Sequence, residues 1–287
     1  MTVNDDIPQP LRAVIEREGL TTCAGAFAYG QGDDLHKPGL GHRRRTRIEL
    51  TDDEKTPHVL FLKRYGAEPL SVRLRRWWTT GVWDTMGPIE YANVRAVRQA
   101  GIPTMTELAA GSDEQGRSFV LVTSVDGVSL ESRAEDFFIR QHDEAGRLGE
   151  FNLALAELMA SFHQAGFVHR DFYACHVFMD ERGGAMDLSL IDLARVFRPR
   201  RRQRRWQVKD LAQLKYSMSP RWVSQCWDEF FALYLGGRGT ERICRPLQRA
   251  IDRRVARMRR RHRTEPFRYE PTREEDRSTR ERTRRDD

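Results

Sequence analysis

The chain has 287 residues, 39% of them apolar and 32% charged, with a net charge of +7 and a mean hydropathy of −0.68. That composition suits a soluble globular protein with one large domain or two lobes. No apolar run approaches the ~18 residues that a transmembrane helix needs. The polar, acidic start, MTVNDDIPQP, is unlike a secretory signal. Cys23, Cys175, Cys226 and Cys244 are scattered without zinc-ligand spacing, which fits a reduced, cytoplasmic compartment. Nearly all the cations are arginine; the five lysines are Lys37, Lys55, Lys63, Lys209 and Lys215. A lysine inside an apolar strand therefore stands out, and the basic excess permits nucleic acid, anionic lipid or a phosphorylated glycan as partner.

The periodicity predicts a short helix over 10–18 ended by Gly19, then strands over 33–37, 45–50 and 58–64 with turns at 38–41 and 51–57. Residues 73–86 form a Trp-rich basic insert. A helix beginning at Glu90 carries Tyr91, Val94 and Val97 on one face and stops at Gly101. A strand over 119–125 leads into Asp126-Gly127, a hinge. Beyond it, Phe151, Leu155, Leu158, Met159 and Phe162 mark a long helix ended by Gly166. Short strands at 177–179 and 188–191 flank a Gly183-Gly184 turn, and helices follow over 208–216 and 223–235. The last ~25 residues mix both charges with few apolar groups and are expected to be disordered. The expected fold class is therefore α+β: a bilobal, protein-kinase-like fold. A helical extension (1–19) precedes a β-rich lobe (20–125), a helical lobe with a basic helix at its end (126–264) and a charged tail (265–287).

The chemistry lies in His169-Arg170-Asp171, followed by the strand 188–191 that delivers Asp192. Phosphoryl transfer uses one carboxylate to orient the attacking hydroxyl and another to hold the metal on the nucleotide phosphates. Asp171 is the candidate for the first role and Asp192, at a strand end, for Mg²⁺. Lys63 is the lone cation in the apolar strand HVLFLKRY; such a lysine binds the phosphates of ATP and pairs with a Glu from the next helix, here Glu90. The bland readings are a surface-strand lysine and an acid favoured by a helix N-terminus. No GxGxxG precedes Lys63. Gly39 and Gly41 are the best substitute for a phosphate-covering loop, although a plain hairpin turn reads equally well. His176 stands where protein kinases carry a metal-binding Asn; imidazole suits Mg²⁺ poorly, so a direct metal role stays open beside a phosphate contact. Asp210, read as beginning a helix, is expected to bond the backbone of the HRD loop.

HRDFYACH followed by LIDLAR resembles the lipopolysaccharide core kinases of the Kdo/heptose (WaaP) type. These carry HRD-x-Y-x-C-H for HRD-x-x-x-x-N, and IDL for DFG. RRTRIEL, VLFLKRY, EYANVRAVRQAGIPTM and ASFHQAGFVHRD are similar to that family's successive blocks. The resemblance implies ATP- and Mg²⁺-dependent phosphorylation of a heptose or Kdo hydroxyl on a lipid-anchored glycan, at the inner face of the cytoplasmic membrane. It assigns Lys63, Glu90, Asp171 and Asp192 the roles above and makes His176 a normal feature.

Two basic clusters bear on the acceptor. Arg195 to Arg205 crowd the segment after Asp192, where arginine forks suit an anionic glycolipid. Leu247, Ile251, Val255 and Met258, ringed by arginines, read either as a helix lying on an anionic membrane or as a core helix with a solvated face. Zinc, helix-turn-helix and aromatic-platform signatures are missing, which argues against nucleic acid. The rival readings are a protein or small-molecule kinase on the same core, and a pseudokinase scaffold at the membrane.

Overall fold

The computed structural model describes residues 1–35, 43–132, 145–182, 184, 186–236 and 241–264. The chain divides into two compact, interleaved units: residues 1–126, 161–169 and 189–203, and residues 127–160, 170–188 and 204–287.

The first unit is built on a six-stranded sheet. Strands β1 (Thr2–Val3), β2 (Asp33–Asp34), β3 (Arg43–Thr51), β4 (Pro57–Tyr65), β5 (Glu107–Ser112) and β6 (Ser118–Thr123) lie in the order β1-β5-β6-β4-β3-β2. All neighbouring strands of this sheet pair antiparallel. Because side chains alternate across a strand, β4 has two faces of different character. Leu60 and Leu62 point into a core with Ile15, Leu20, Ile48, Leu108, Phe119 and Leu121. Helices α1 (Gln9–Arg17) and α2 (Cys23–Ala28) contribute to that side of the sheet. Phe61, Lys63 and Tyr65 take the other face.

Helix α3 (Leu70–Thr80) buries none of its residues, whereas α4 (Met86–Gln99) buries Ile89, Glu90, Tyr91, Val94 and Val97. Gly87 lets α4 approach β6, since a Cβ there would stand 2.1 Å from the Phe119 carbonyl oxygen. Glu90 therefore sits one turn inside α4. It does not begin the helix as its sequence position suggested, and its acidity is not explained by the helix N-terminus.

In the second unit, Gly127 has φ +82°, and a Cβ on it would lie 2.0 Å from the Met179 carbonyl oxygen, so only glycine fits. It leads into β7 (Val128–Ser129), which joins β8 (Val177–Asp180) and β9 (Asp187–Leu190) in a three-stranded sheet. Helix α5 (Ala145–Gln164) buries Phe151, Leu155 and Met159. Helices α6 (Gln203–Ser217), α7 (Pro220–Gln225), α8 (Trp227–Tyr234) and α9 (Glu241–Thr264) complete the unit. The single helix expected over 223–235 is two, interrupted at Cys226. Trp222 is the largest fully buried side chain; its indole N–H donates to Asn152 Oδ1 at 2.9 Å. On α9, Ile251 and Val255 are buried, so the apolar stripe read as a possible membrane face belongs to the protein core. The turn with Gly39 and Gly41 and the charged tail 265–287 lie outside the described residues.

Candidate phosphotransfer site

The register of the β3–β4 hairpin assembles a group of polar side chains in the first unit. Arg43 pairs with Tyr65 and Arg45 with Lys63, so these four side chains share a face. The Arg43 guanidinium lies 5.2 Å from the Tyr65 ring centroid. Lys63 Nζ donates to Glu90 Oε1 at 2.5 Å, and the Tyr65 hydroxyl donates to Glu90 Oε2. Both glutamate oxygens are thus satisfied in a place where its side chain is wholly buried and that of Lys63 nearly so. Burial, then the Glu90 charge, pushes the Tyr65 hydroxyl well above the usual phenol range, so it stays a donor.

Asp192 joins this group from the end of β9. Its Oδ1 accepts from Arg43 at 2.9 Å and lies 3.6 Å from Lys63 Nζ. Burial alone would lower the Arg43 guanidinium, but Asp192, then Tyr65 and Glu90, outweigh it and raise it further. The backbone around Asp192 is fixed on several sides. Thr104 Oγ1 donates to the Leu190 carbonyl at 2.7 Å, and a His169 ring nitrogen meets the Ile191 carbonyl at 3.1 Å. Asn93 donates to the carbonyls of Leu193 and Val196, both at 2.9 Å. These restraints hold Asp192 in the left-handed region, φ 56°, which aspartate tolerates better than most residues.

In the second unit, the loop after His169 is held by one face of α6. Asp210 Oδ1 accepts from the Arg170 N–H at 2.8 Å, and Gln213 Oε1 from the Phe172 N–H at 3.3 Å. Ser217 Oγ accepts from the Ala174 N–H at 2.8 Å. Lys209 donates to the Arg170 carbonyl and lies 3.8 Å from Asp171 Oδ1. The Arg170 guanidinium stands 5.5 Å from the Trp206 ring centroid. Positions 206, 209, 210, 213 and 217 recur at helical spacing, so one stripe carries the loop. Arg170 itself has φ 70°, a conformation costing roughly 1–3 kcal/mol unless its surroundings enforce it. Asp210 does so from the middle of α6, which starts at Gln203 and not at Asp210. His176 Nδ1 donates to the Asp171 carbonyl at 2.8 Å.

Within the first unit, Lys63 therefore contacts both Glu90 and Asp192; within the second, Asp171 and His176 share one loop. Arg43, Tyr65, Lys209, Gln213 and Ser217 were not singled out from the sequence. Lys209 left a signal, being one of only five lysines in an arginine-rich chain. Arg43 and Tyr65 became visible only through strand register. No trio of His, Cys, Asp or Glu side chains able to hold a metal occurs among the described residues. Asp192, a partly exposed carboxylate, fits Mg²⁺, which is commonly held by one or two carboxylates together with the phosphates of a nucleotide. Lys63 and Arg43, both beside Asp192, supply the cations such phosphates need.

The sequence profile of the "Lipopolysaccharide kinase (Kdo/WaaP) family" matches residues 43–234. The chain is similar to "Lipopolysaccharide core heptose(I) kinase WaaP" of Pseudomonas aeruginosa, 35% identical over 138 residues, 45% of this chain and 51% of that protein. It is 28% identical over 211 residues to the protein of the same description from Escherichia coli K12, covering 69% of this chain and 76% of the relative. The alignment with the Pseudomonas protein thus spans about half of that relative's length. Among solved structures, "WaaP in complex with acyl carrier protein" superposes with a TM-score of 0.64 at 23% identity, over 90% of this chain and 99% of that one, and so has the same fold. With its profile match running from the first strand of the Arg43–Lys63 hairpin to the end of α8, the chain belongs to the lipopolysaccharide kinase (Kdo/WaaP) family.

Proposed function

We propose that the protein transfers the γ-phosphate of ATP to a sugar hydroxyl, heptose or Kdo, of a lipopolysaccharide-type glycolipid. The observation that carries this reading is the buried Lys63–Glu90 pair with the partly exposed Asp192 beside Lys63, joined by Arg43. A fully buried Glu–Lys pair is an expensive arrangement. Its retention beside a third, partly exposed acid is best explained by a need to present a fixed cation to phosphates.

In this reading Lys63 and Arg43 bind phosphate oxygens, Glu90 and Tyr65 fix Lys63, and Asp192 holds Mg²⁺. When bound, Mg²⁺ neutralises charge on the phosphates of ATP. Asp171 orients the acceptor hydroxyl, whose oxygen forms the new bond to the γ-phosphorus as the bond to the bridging oxygen of ADP breaks. The hydroxyl proton passes to the Asp171 carboxylate. Lys209 keeps Asp171 in place and His176, through the Asp171 carbonyl, sets the loop. The pseudokinase alternative is weakened by these side chains, since a scaffold has no need of them.

Acyl carrier protein, the partner in the similar solved structure, is a candidate partner in this reading. A cavity of about 890 Å³ between α6 and α9, with Arg204, Arg205, Arg253, Arg254 and Arg257 in its lining, offers a basic surface for an anionic partner. Burial, then the neighbouring cations Arg257 and Arg205, lowers the Arg254 guanidinium, as an incompletely neutralised basic cleft should.

The test is transfer from γ-labelled ATP with Mg²⁺ to a membrane glycolipid extract, with Asp171→Ala as control. Label entering the glycolipid only with the intact protein is expected. Equal labelling by Asp171→Ala sinks the assignment, label in protein alone favours a protein kinase, and nucleotide binding without transfer favours the scaffold.

A further inference from the structure

Helix α3 wears its apolar face outward. Leu70, Leu74, Trp77 and Trp78 form one stripe at helical spacing and are all exposed, Leu70 by 70% and Trp78 by 81%. The half-buried positions are Arg73, Arg76 and Thr80, also one stripe. Arg76 is tied inward by both carboxylate oxygens of Glu68, at 2.9 and 2.6 Å, and by the Asp84 carbonyl. Arg73 stacks 4.9 Å from the Trp83 ring centroid. The fold therefore anchors the polar side of this helix and presents the apolar side. Val82 and Trp83, also exposed, extend the patch past the C-cap Gly81. Contiguous apolar surface of this kind marks a surface meant to be covered.

The surrounding charge says by what. At ~100° per residue, Arg73 and Arg75 fall on opposite flanks of the stripe, and no acid occurs among the eleven residues of α3. At its end, the Arg200 guanidinium packs on Gly81, 3.3 Å from where a Cβ would be. Tryptophan seated between arginines is the pattern of a helix at the boundary of headgroups and acyl chains. A second copy of this chain would instead bring the flanking arginines of two helices together with no α3 acid to receive them. We propose that α3 anchors the protein to an anionic lipid bilayer, lying in the interface with Leu70, Leu74, Trp77 and Trp78 inserted and Arg75 and Arg200 toward lipid phosphates. The choice of a bilayer agrees with the glycolipid acceptor proposed above and in that respect leans on it. It differs from the membrane face first read on α9, whose apolar side is core.

Vesicle sedimentation without nucleotide tests this independently of turnover. The full chain should sediment with vesicles of phosphatidylethanolamine and phosphatidylglycerol, and more weakly with phosphatidylcholine alone. Trp77→Ser combined with Trp78→Ser should lower partitioning at least about tenfold with an unchanged melting temperature, and Arg75→Glu should weaken binding to anionic vesicles only. No sedimentation of the wild type, or equal sedimentation of the double variant, overturns the proposal. So does a wild-type dimer, seen by analytical ultracentrifugation, that the double variant dissolves. Transfer to a delipidated soluble acceptor separates the two readings. Transfer retained without vesicle binding sinks only the anchor, and vesicle binding without transfer to any acceptor sinks only the kinase.

Discussion

Lys63 donates to Glu90 at 2.5 Å with both side chains almost completely shielded from water, and the second oxygen of Glu90 is taken by the Tyr65 hydroxyl. A β4 cation and an α4 anion thus make a closed polar unit inside an apolar setting. Its value for folding and its value for ligand binding can be separated, because burying two charges gives little net stability while orphaning one is costly.

Lys63→Met is expected to strand Glu90 with only Tyr65 as partner. The loss should be about 3–5 kcal/mol in denaturant unfolding, together with loss of ATP binding in calorimetry. Adding Glu90→Leu should restore much of the stability and none of the nucleotide binding. If the double variant binds ATP like the wild type, the pair is structural and the phosphate role of Lys63 is wrong.

Arg43 tests the other cation. Its guanidinium bonds Asp192 and stacks on Tyr65, and its side chain is one-quarter exposed. Arg43→Ala should leave the fold within about 1 kcal/mol of wild type but raise KM for ATP roughly tenfold, about 1.4 kcal/mol of binding. Arg43→Lys should recover only part, since a point charge cannot reproduce a planar fork. An unchanged KM for ATP in Arg43→Ala would confine this residue to holding Asp192.

How much of this was legible in the sequence depended on whether a residue's role is local. Lys63 stood out as one cation in an apolar strand, and Asp171 and Asp192 by their motif, so their neighbourhoods could be read directly. Strand β5 could not, because ELAAGS has little β-branched or aromatic content and is a strand only through its pairing with β6. Glu107 in it is wholly buried against Arg98, a tertiary contact with no local pattern. Arg43 and Tyr65 depended on the register of β3 against β4. Helix α3 hid for a different reason: its apolar stripe faces solvent, so its Trp pairs read as an irregular insert. Of the stripe on α6 only Asp210 was read from the sequence; Lys209, Gln213 and Ser217 are polar, and helix periodicity is sought among apolar residues.

Lys209 therefore carries a prediction of its own. It donates to the Arg170 carbonyl and stands 3.8 Å from Asp171 Oδ1. Lys209→Ala should lower kcat by about 10²-fold, the scale of a misplaced catalytic group, while KM for ATP changes little. Lys209→Arg, which keeps the charge, should recover part of the rate. A selective rise in KM for ATP would instead place Lys209 on the nucleotide.

His176 poses the sharpest choice, between ligand and brace. Its Nδ1–H donates to the Asp171 carbonyl at 2.8 Å. If Nε2 ligates Mg²⁺, His176→Ala should raise the Mg²⁺ concentration needed for half-maximal rate, and saturating Mg²⁺ should restore kcat. If the imidazole braces the loop, kcat should stay depressed at all Mg²⁺ concentrations, with the half-saturating value unchanged. Imidazole is a poor partner for a hard cation, and the bond to the carbonyl is already made in the structure, so the brace is the expected outcome. His176→Asn then becomes informative. Its amide N–H can also donate to the Asp171 carbonyl, and it should retain more activity than Ala at every Mg²⁺ concentration. Restoration of the His176→Ala rate by saturating Mg²⁺ alone would reverse this assignment and make His176 a metal ligand.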